Sequence, residues 1–210
     1  MRTIRITGTG SALPGRIVTN KELEQMVETS DEWIRERTGI AERHVSVGET
    51  VVTLASEAAR KALEQAGKRA EEIDLILVAT CSPEQYLPCC ACQVQADIGA
   101  VNALAFDVNA ACSGFLFALN TADAYLRMGL AENALIIGSE VLSKLVDWTD
   151  RGSCILFGDG AGAVVVERCK AESRAVEEKQ IPAAGILGRA LHSDGTGGGV
   201  LQCDARELTT

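Results

Sequence analysis

The sequence predicts an α/β fold, a mostly parallel sheet covered by helices, and three stretches carry that prediction. Ile73–Thr80 reads I-D-L-I-L-V-A-T, the near-continuous apolar run of a parallel strand buried on both faces. Before it, T-V-V-T-L-A-S-E-A-A-R-K-A-L-E-Q-A-G places Val51, Leu54, Ala58, Ala62 and Ala66 near helical period, with Thr50 opening the helix and Gly67 ending it. After it, Leu104–Met128 runs from an apolar strand through a turn of small residues into a helix that is apolar at nearly every position, the signature of a helix covered on all sides. Strands separated by helices in this way build βαβ units.

The remaining elements follow in order. Arg2 to Gly8 alternates as a short strand, and G-T-G-S-A-L-P-G reads as a glycine-rich turn whose spacing does not fit a dinucleotide fingerprint. Asn20 is placed as the cap of a helix running to Val27, and Ser30 with Asp31 as the cap of a second helix stopped by Gly39. A short helix is expected around Gln93 to Ile98 after the loop S-P-E-Q-Y-L-P, then strands at Ala134 to Ser139 and Ala163 to Glu167. Cys169 to Gln180 is charged and polar and reads as an exposed connection, and A-G-I-L-G-R-A-L-H-S-D-G as one more strand. The tail T-G-G-G-V-L-Q-C-D-A-R-E-L-T-T shows no core-forming pattern. The expected division is 1–168 for the half that carries the nucleophile and 169–210 for a connecting strand and the start of a second half.

Composition narrows the function classes. The formal net charge of −9 argues against nucleic acid as the main partner, because phosphate backbones are bound by clustered positive charge. No stretch approaches the ~18 apolar residues of a membrane span, and M-R-T-I-R-I-T lacks the apolar core of a signal peptide. A cytoplasmic protein without a membrane partner is expected. The eight cysteines are irregularly spaced and read as free thiols. C-C-A-C at Cys89 to Cys92 invites a metal reading, but no second closely spaced Cys/His pair completes a tetrahedral site, so no metal is expected.

Cys112 is the residue with the most pointed chemistry. The pattern puts it at the N-terminus of a buried helix, where unpaired N–H groups favour thiolate, the nucleophilic form. Ala110, Ala111, Ser113 and Gly114 leave room for a substrate, as at other strand-to-helix nucleophile turns. A small buried hydrophobe is the competing reading of the same stretch.

Five separated stretches, G-T-G-S-A-L-P, T-S-D-E-W-I-R-E-R-T-G-I-A-E-R-H, A-F-D-V-N-A-A-C-S-G-F, T-D-R-G-S-C-I-L-F-G-D-G-A-G-A and L-H-S-D-G, together resemble the thiolase-fold condensing enzymes, most closely β-ketoacyl-acyl-carrier-protein synthase III. The resemblance implies a thiolase-like, duplicated fold of which this is the first half. It implies that Cys112 takes a short acyl group from acyl-coenzyme A and condenses it with malonyl-acyl-carrier-protein, releasing carbon dioxide. It also implies that Trp33, Arg37 and Arg151 hold the nucleotide end of coenzyme A, that Phe157 lines the passage to the cysteine, and that the protein is a homodimer without a cofactor. Leu87 stands where some short-chain members carry an aromatic, which implies a pocket for acyl groups longer than acetyl. An adenine stacked between an indole and a guanidinium, with arginines on phosphates, is sound chemistry for that trio. T-S-D-E-W-I and A-A-C-S-G-F set the chain apart from chalcone-synthase-like and hydroxymethylglutaryl-coenzyme-A-synthase-like relatives.

Family members also carry a histidine in a setting like V-P-H-Q-A-N and an asparagine in a setting like G-N-T-S-A-A-S, which stabilise the malonyl-derived enolate. These 210 residues contain neither motif, and His44 and His192 match other positions. The expectation is therefore that this chain alone accepts an acyl group without condensing it. The alternative function is that of a truncated, non-condensing protein that dimerises or binds acyl groups.

Overall fold

A computed structural model describes residues 2–170, 173–176, 179–182 and 185–203. In chain order the strands are β1 (Arg2–Ala12), β2 (Arg16–Thr19), β3 (Glu42–Val45), β4 (Leu75–Ala79), β5 (Leu104–Val108), β6 (Asn133–Val141), β7 (Asp159–Lys170), β8 (Ser173–Val176) and β9 (Lys179–Pro182). The helices are α1 (Asn20–Leu23), α2 (Asp31–Thr38), α3 (Val51–Ala66), α4 (Cys90–Ile98), α5 (Gly114–Met128) and α6 (Arg151–Cys154). Five strands form one sheet in the order β1-β7-β6-β4-β5. β4 lies parallel to β5 and β6, and β7 runs antiparallel to β6 and β1, so β7 alone of the five is reversed. This is the mostly parallel α/β architecture that the sequence predicts.

The sheet is covered on both faces, which explains the unbroken apolar run of β4. Ile76 and Val78 join the cluster under α3 and α4, whereas Leu75, Leu77 and Ala79 join the one under α5. A third, smaller core of Val18, Leu23, Ile34, Val45, Cys154 and Ile155 is built by the β2–β3 hairpin with α1, α2 and α6. Arg43 is buried there, donating to Val18 O at 3.1 Å, Asn20 Oδ1 at 2.9 Å and Ile155 O at 3.2 Å. Among the described residues no helix is long and apolar enough to cross a membrane.

The caps at Ser30 and Gly39 on α2, and at Thr50 and Gly67 on α3, fall where the sequence places them. Other expectations need correction. The glycine-rich stretch stays in β1 as far as Ala12 and leaves the strand only at Leu13–Gly15, and Gly8 and Gly10 are there because α3 crosses at backbone contact. A Cβ on Gly8 would stand 2.2 Å from Ala62 O, and one on Gly10 2.1 Å from Ala58 O. Asn20 does not cap α1. Thr19 does, accepting from Glu22 N, and α1 ends at Leu23, while the buried Asn20 amide donates to Asp31 Oδ1 and Ile40 O. α4 starts at Cys90, ahead of Gln93, because the Asp107 carboxylate accepts from the N–H groups of Cys90 (2.9 Å) and Ala91 (2.7 Å).

β7 is longer than expected, since β1 and β6 flank it on both sides, and it continues to Lys170, past the division expected at 168. Within the charged stretch that follows, Ser173 pairs with Pro182 and Val176 with Lys179, antiparallel, as β8 and β9. Its exposure lies outside what is described. The strand expected in A-G-I-L-G-R-A-L-H-S-D-G is absent over its described residues. They are irregular and largely exposed, with Leu187 at 70%, because an apolar period makes a strand only where it pairs with one, and these residues pair with none. The tail from 204 onward also lies outside the described residues. α5 is not covered on all sides. Gly114, Ala118, Ala122, Asp123 and Leu126 are buried, but Leu116 is 54% exposed. The sheet covers one face only.

Candidate active site

Cys112 lies at the carboxyl end of the parallel strands, where ligands of open α/β sheets bind. β5 ends at Val108, Ala111 takes φ +44°, a single 3-10 turn spans Ala111–Ser113, and α5 starts at Gly114. A left-handed alanine costs about 1 kcal/mol, and the surroundings hold it. Thr80 N–H donates to Val108 O at 3.3 Å, and a Cβ on Gly114 would stand 3.1 Å from Ala79 Cβ, so the start of α5 abuts the end of β4. Cys112 is exposed on this turn. It precedes α5 rather than occupying its first turn, so the sharp turn presents the thiol more than the helix dipole does.

A polar set that the sequence reading passed over lies beside it. The Glu140 carboxylate accepts from Thr80 Oγ1 at 3.2 Å, from Cys81 N at 2.8 Å and from Ser82 Oγ, and Ser82 Oγ in turn accepts from Val141 N at 2.9 Å. Burial first, then Glu140 and Cys112, push the Cys81 thiol up to about 11. Cys81 is therefore a protonated neighbour of Cys112. The available signal was a run of polar residues directly after apolar strands, T-C-S after β4 and S-E at the end of β6.

The structure gathers Trp33, Arg37 and Arg151 into one cluster. Ser30 Oγ accepts from Trp33 N at 3.1 Å and sets the first turn of α2, and Arg37 follows one turn later with its guanidinium 4.3 Å from the indole centroid. Arg151 reaches the same ring from α6 at 4.7 Å while donating to Glu28 O at 3.1 Å. Asp150 caps α6, accepting from Gly152 N at 2.9 Å and Ser153 Oγ at 2.6 Å. The Ser153 hydroxyl and the Gly152 N–H hold the Asp150 carboxyl below its ordinary 3.8. A carboxyl lowered by folding stabilises above its unfolded value and loses that contribution as pH falls through the folded one. Asp31, lowered by Asn20 and then Arg35, belongs to the same unit. Below about pH 4 this unit is expected to loosen and free Arg151 from Trp33, read as a shift in tryptophan emission. Asp150→Ala should show part of that shift already at neutral pH.

The other candidates lie on other segments. Phe157 is half-buried just before β7, and the next residue, Gly158, abuts Arg43 Cβ and His44 O, each 3.1 Å from the position of an added Cβ. Leu87 is 85% exposed on the loop between β4 and α4. His44 Nδ1 is bonded to Pro14 O at 2.6 Å, and His192 is exposed in the irregular segment. Asp159, missed in the sequence, fastens the start of β7 by accepting from Ser46 N at 2.7 Å, Ser143 N at 2.9 Å and Ser143 Oγ at 2.6 Å. Among the described residues no group of three or more His, Cys, Asp or Glu side chains is arranged to hold a metal ion.

Comparison with known proteins gives one answer by sequence and by structure. The profile of the 3-oxoacyl-[acyl-carrier-protein] synthase III family matches residues 106–195, the stretch that holds Cys112 and Arg151. The β-ketoacyl-[acyl-carrier-protein] synthase III of Clostridium acetobutylicum is 51% identical over 208 residues, covering 99% of this chain and 60% of its own. That of Novosphingobium aromaticivorans is 53% identical, covering 98% and 62%. Among solved structures, the synthase III of Thermus thermophilus superposes with a TM-score of 0.84 at 39% identity, over 97% of this chain and 60% of its own. The enzyme of Aquifex aeolicus gives 0.79 at 51%, over 81% and 55%. The chain thus spans about three fifths of the length of these curated relatives. Over that span, from the β4–β5–β6 strand ends to the turn at Cys112, it belongs to the 3-oxoacyl-[acyl-carrier-protein] synthase III family.

Proposed function

We propose that Cys112 accepts a short acyl group from acyl-coenzyme A, as the acyl-transfer step of an enzyme that initiates fatty-acid synthesis by condensing that group with malonyl-acyl-carrier-protein. The observation that carries this reading is the exposed Cys112 on a strained turn at the carboxyl ends of parallel strands. Its thiolate attacks the thioester carbonyl, the Cys112 backbone N–H would serve as one donor to the developing oxyanion, and coenzyme A leaves as thiolate and takes up a proton. Trp33, Arg37 and Arg151 would hold the nucleotide end, the indole for adenine and the guanidiniums for phosphate. No cofactor enters this chemistry. Phe157 beside the passage and Leu87 toward a longer acyl pocket complete the proposed substrate contacts. Residues 1–168 are proposed as the acyl-accepting unit and 169–210 as a connecting segment.

Trp33→Ala is expected to raise KM for acetyl-coenzyme A by about tenfold while changing kcat less, since a stacked cation–aromatic contact contributes about 1–2 kcal/mol. An unchanged KM would remove the nucleotide site from this cluster.

A homodimer belongs to the same reading, because β5 pairs with β4 on one side only and Leu104 on it is 53% exposed. A cytoplasmic location follows from substrates that are water-soluble thioesters. The expectation that these 210 residues do not condense rests only on the two donors absent from them; the relatives match the chain from end to end and lend that expectation no support. Incubation with acetyl-coenzyme A and malonyl-acyl-carrier-protein decides it. Acyl-Cys112 without acetoacetyl product is the expected result, and sustained turnover would show that the donors are supplied in another way. No acylation at all would favour the non-condensing binding protein.

A further inference from the structure

The cysteines at the start of α4 are not used by the acyl-transfer chemistry, and their geometry has a use of its own. Cys89 is the N-cap of α4 and Cys92 lies three residues on, so the two side chains share one face of the first turn in a C-x-x-C arrangement. Both are half-buried, while Cys90 between them is fully buried and points into the core. The carboxylate of Asp107 occupies the N-terminal N–H groups of Cys90 and Ala91, so no anion site remains there for a ligand. Cys92 Sγ donates to Ala105 O at 3.6 Å. The N-cap side chain and the one three residues on lean over the same first turn, and Cys89 beside it, then burial, raise the Cys92 thiol. A metal would need further ligands, and among the described residues none are arranged around the pair.

We propose that Cys89 and Cys92 form a reversible intrachain disulfide, which makes the start of α4 a redox modification site separate from Cys112. The oxidant is a low-molecular-weight disulfide such as oxidised glutathione. Cys89 attacks first, because Cys92 is held as a thiol by its bond to Ala105. The Cys89 thiolate forms a bond to one glutathione sulfur and the second glutathione leaves as thiolate. Cys92 then loses its proton to solvent and attacks the Cys89 sulfur, displacing the first glutathione. Two protein thiols are oxidised, and one glutathione disulfide is reduced to two glutathiones. The short C-x-x-C loop at a helix start is a geometry in which such bonds close.

The test treats the folded protein with oxidised glutathione, blocks remaining thiols with iodoacetamide under denaturing conditions, and cleaves on the amino side of aspartate. Cleavage there yields the segment from Asp74 to Ala96, with Cys81, Cys89, Cys90 and Cys92 but without Cys112. The expected segment is lighter by two hydrogens, carries label on Cys81 and Cys90 only, and regains label on Cys89 and Cys92 after dithiothreitol. Cys92→Ser should trap glutathione on Cys89, with at least tenfold more adduct than wild type. Full labelling of both cysteines after oxidation would overturn the proposal, as would a stable glutathione adduct on wild-type Cys89 or a bond from Cys89 to Cys90 or Cys81.

Discussion

Cys112→Ala is expected to abolish covalent acylation by acetyl-coenzyme A, a loss of about 10⁴-fold or more, because removal of a nucleophile leaves only binding and oxyanion donation. Mass spectrometry of the intact chain reads this directly as the presence or absence of one acyl increment. The neighbouring Cys81 makes the experiment sharp. It lies beside Cys112, but burial and Glu140 push its thiol up to about 11, so at neutral pH it is almost wholly protonated and does not take over. Cys90, pushed up to about 12 by burial and then Asp107, is weaker still. Acylation that persists in Cys112→Ala at more than a few per cent of the wild-type rate would move the nucleophile elsewhere. Loss of acylation in Cys81→Ala with Cys112 intact would show that the polar set around Glu140 takes part in the chemistry and does more than position the turn.

The legible parts of this chain are those set by local physics. A strand followed by A-A-C-S-G announces a tight turn because only small residues let a helix start against the end of a neighbouring strand, and Gly114 against Ala79 shows that contact. Ser30, Gly39, Thr50 and Gly67 are caps by their own side-chain and backbone chemistry, and no tertiary contact is needed to place them. Trp33 and Arg37 meet through helical spacing, and the arrival of Arg151 on the same indole was legible only through resemblance, since it comes from another element. What escaped depends on distant partners. Asn20 looks like a cap until Thr19 takes that role and Arg43, Asp31 and Ile40 claim its amide. The same holds for Asp123, an acidic residue on an apolar helix that is buried and paired with Arg127 at 2.8 Å and with Arg189. Periodicity likewise does not say how many faces of α5 will find something to cover them.

The second large effect concerns the glycines of β1. Gly10→Ala is expected to destabilise the fold by about 3 kcal/mol or more, a substantial share of the ~5–15 kcal/mol that holds a domain together. The added Cβ would stand 2.1 Å from Ala58 O, 2.6 Å from Ala62 N and 2.8 Å from Lys61 Cβ. Two of these are backbone atoms of α3, which no side-chain rotation can move, so the helix must lift off the sheet. Ala55, Ala58, Ala59 and Ala62 on that helix are fully buried, and lifting it opens the core along its length. The damage reaches the site as well, because Val51 N donates to Glu84 Oε1 at 3.0 Å and Val51 O accepts from Ser139 Oγ at 2.8 Å, tying the start of α3 to the end of β6 and to the loop after β4. Gly162→Ala is the matched control: it lies on β7, next in the sheet, and a Cβ there meets nothing within 4 Å. Urea unfolding should show the control near wild type and Gly10→Ala shifted strongly to lower denaturant or unfolded at the outset. Equal midpoints for the two variants would mean that α3 does not lie on β1 at backbone contact.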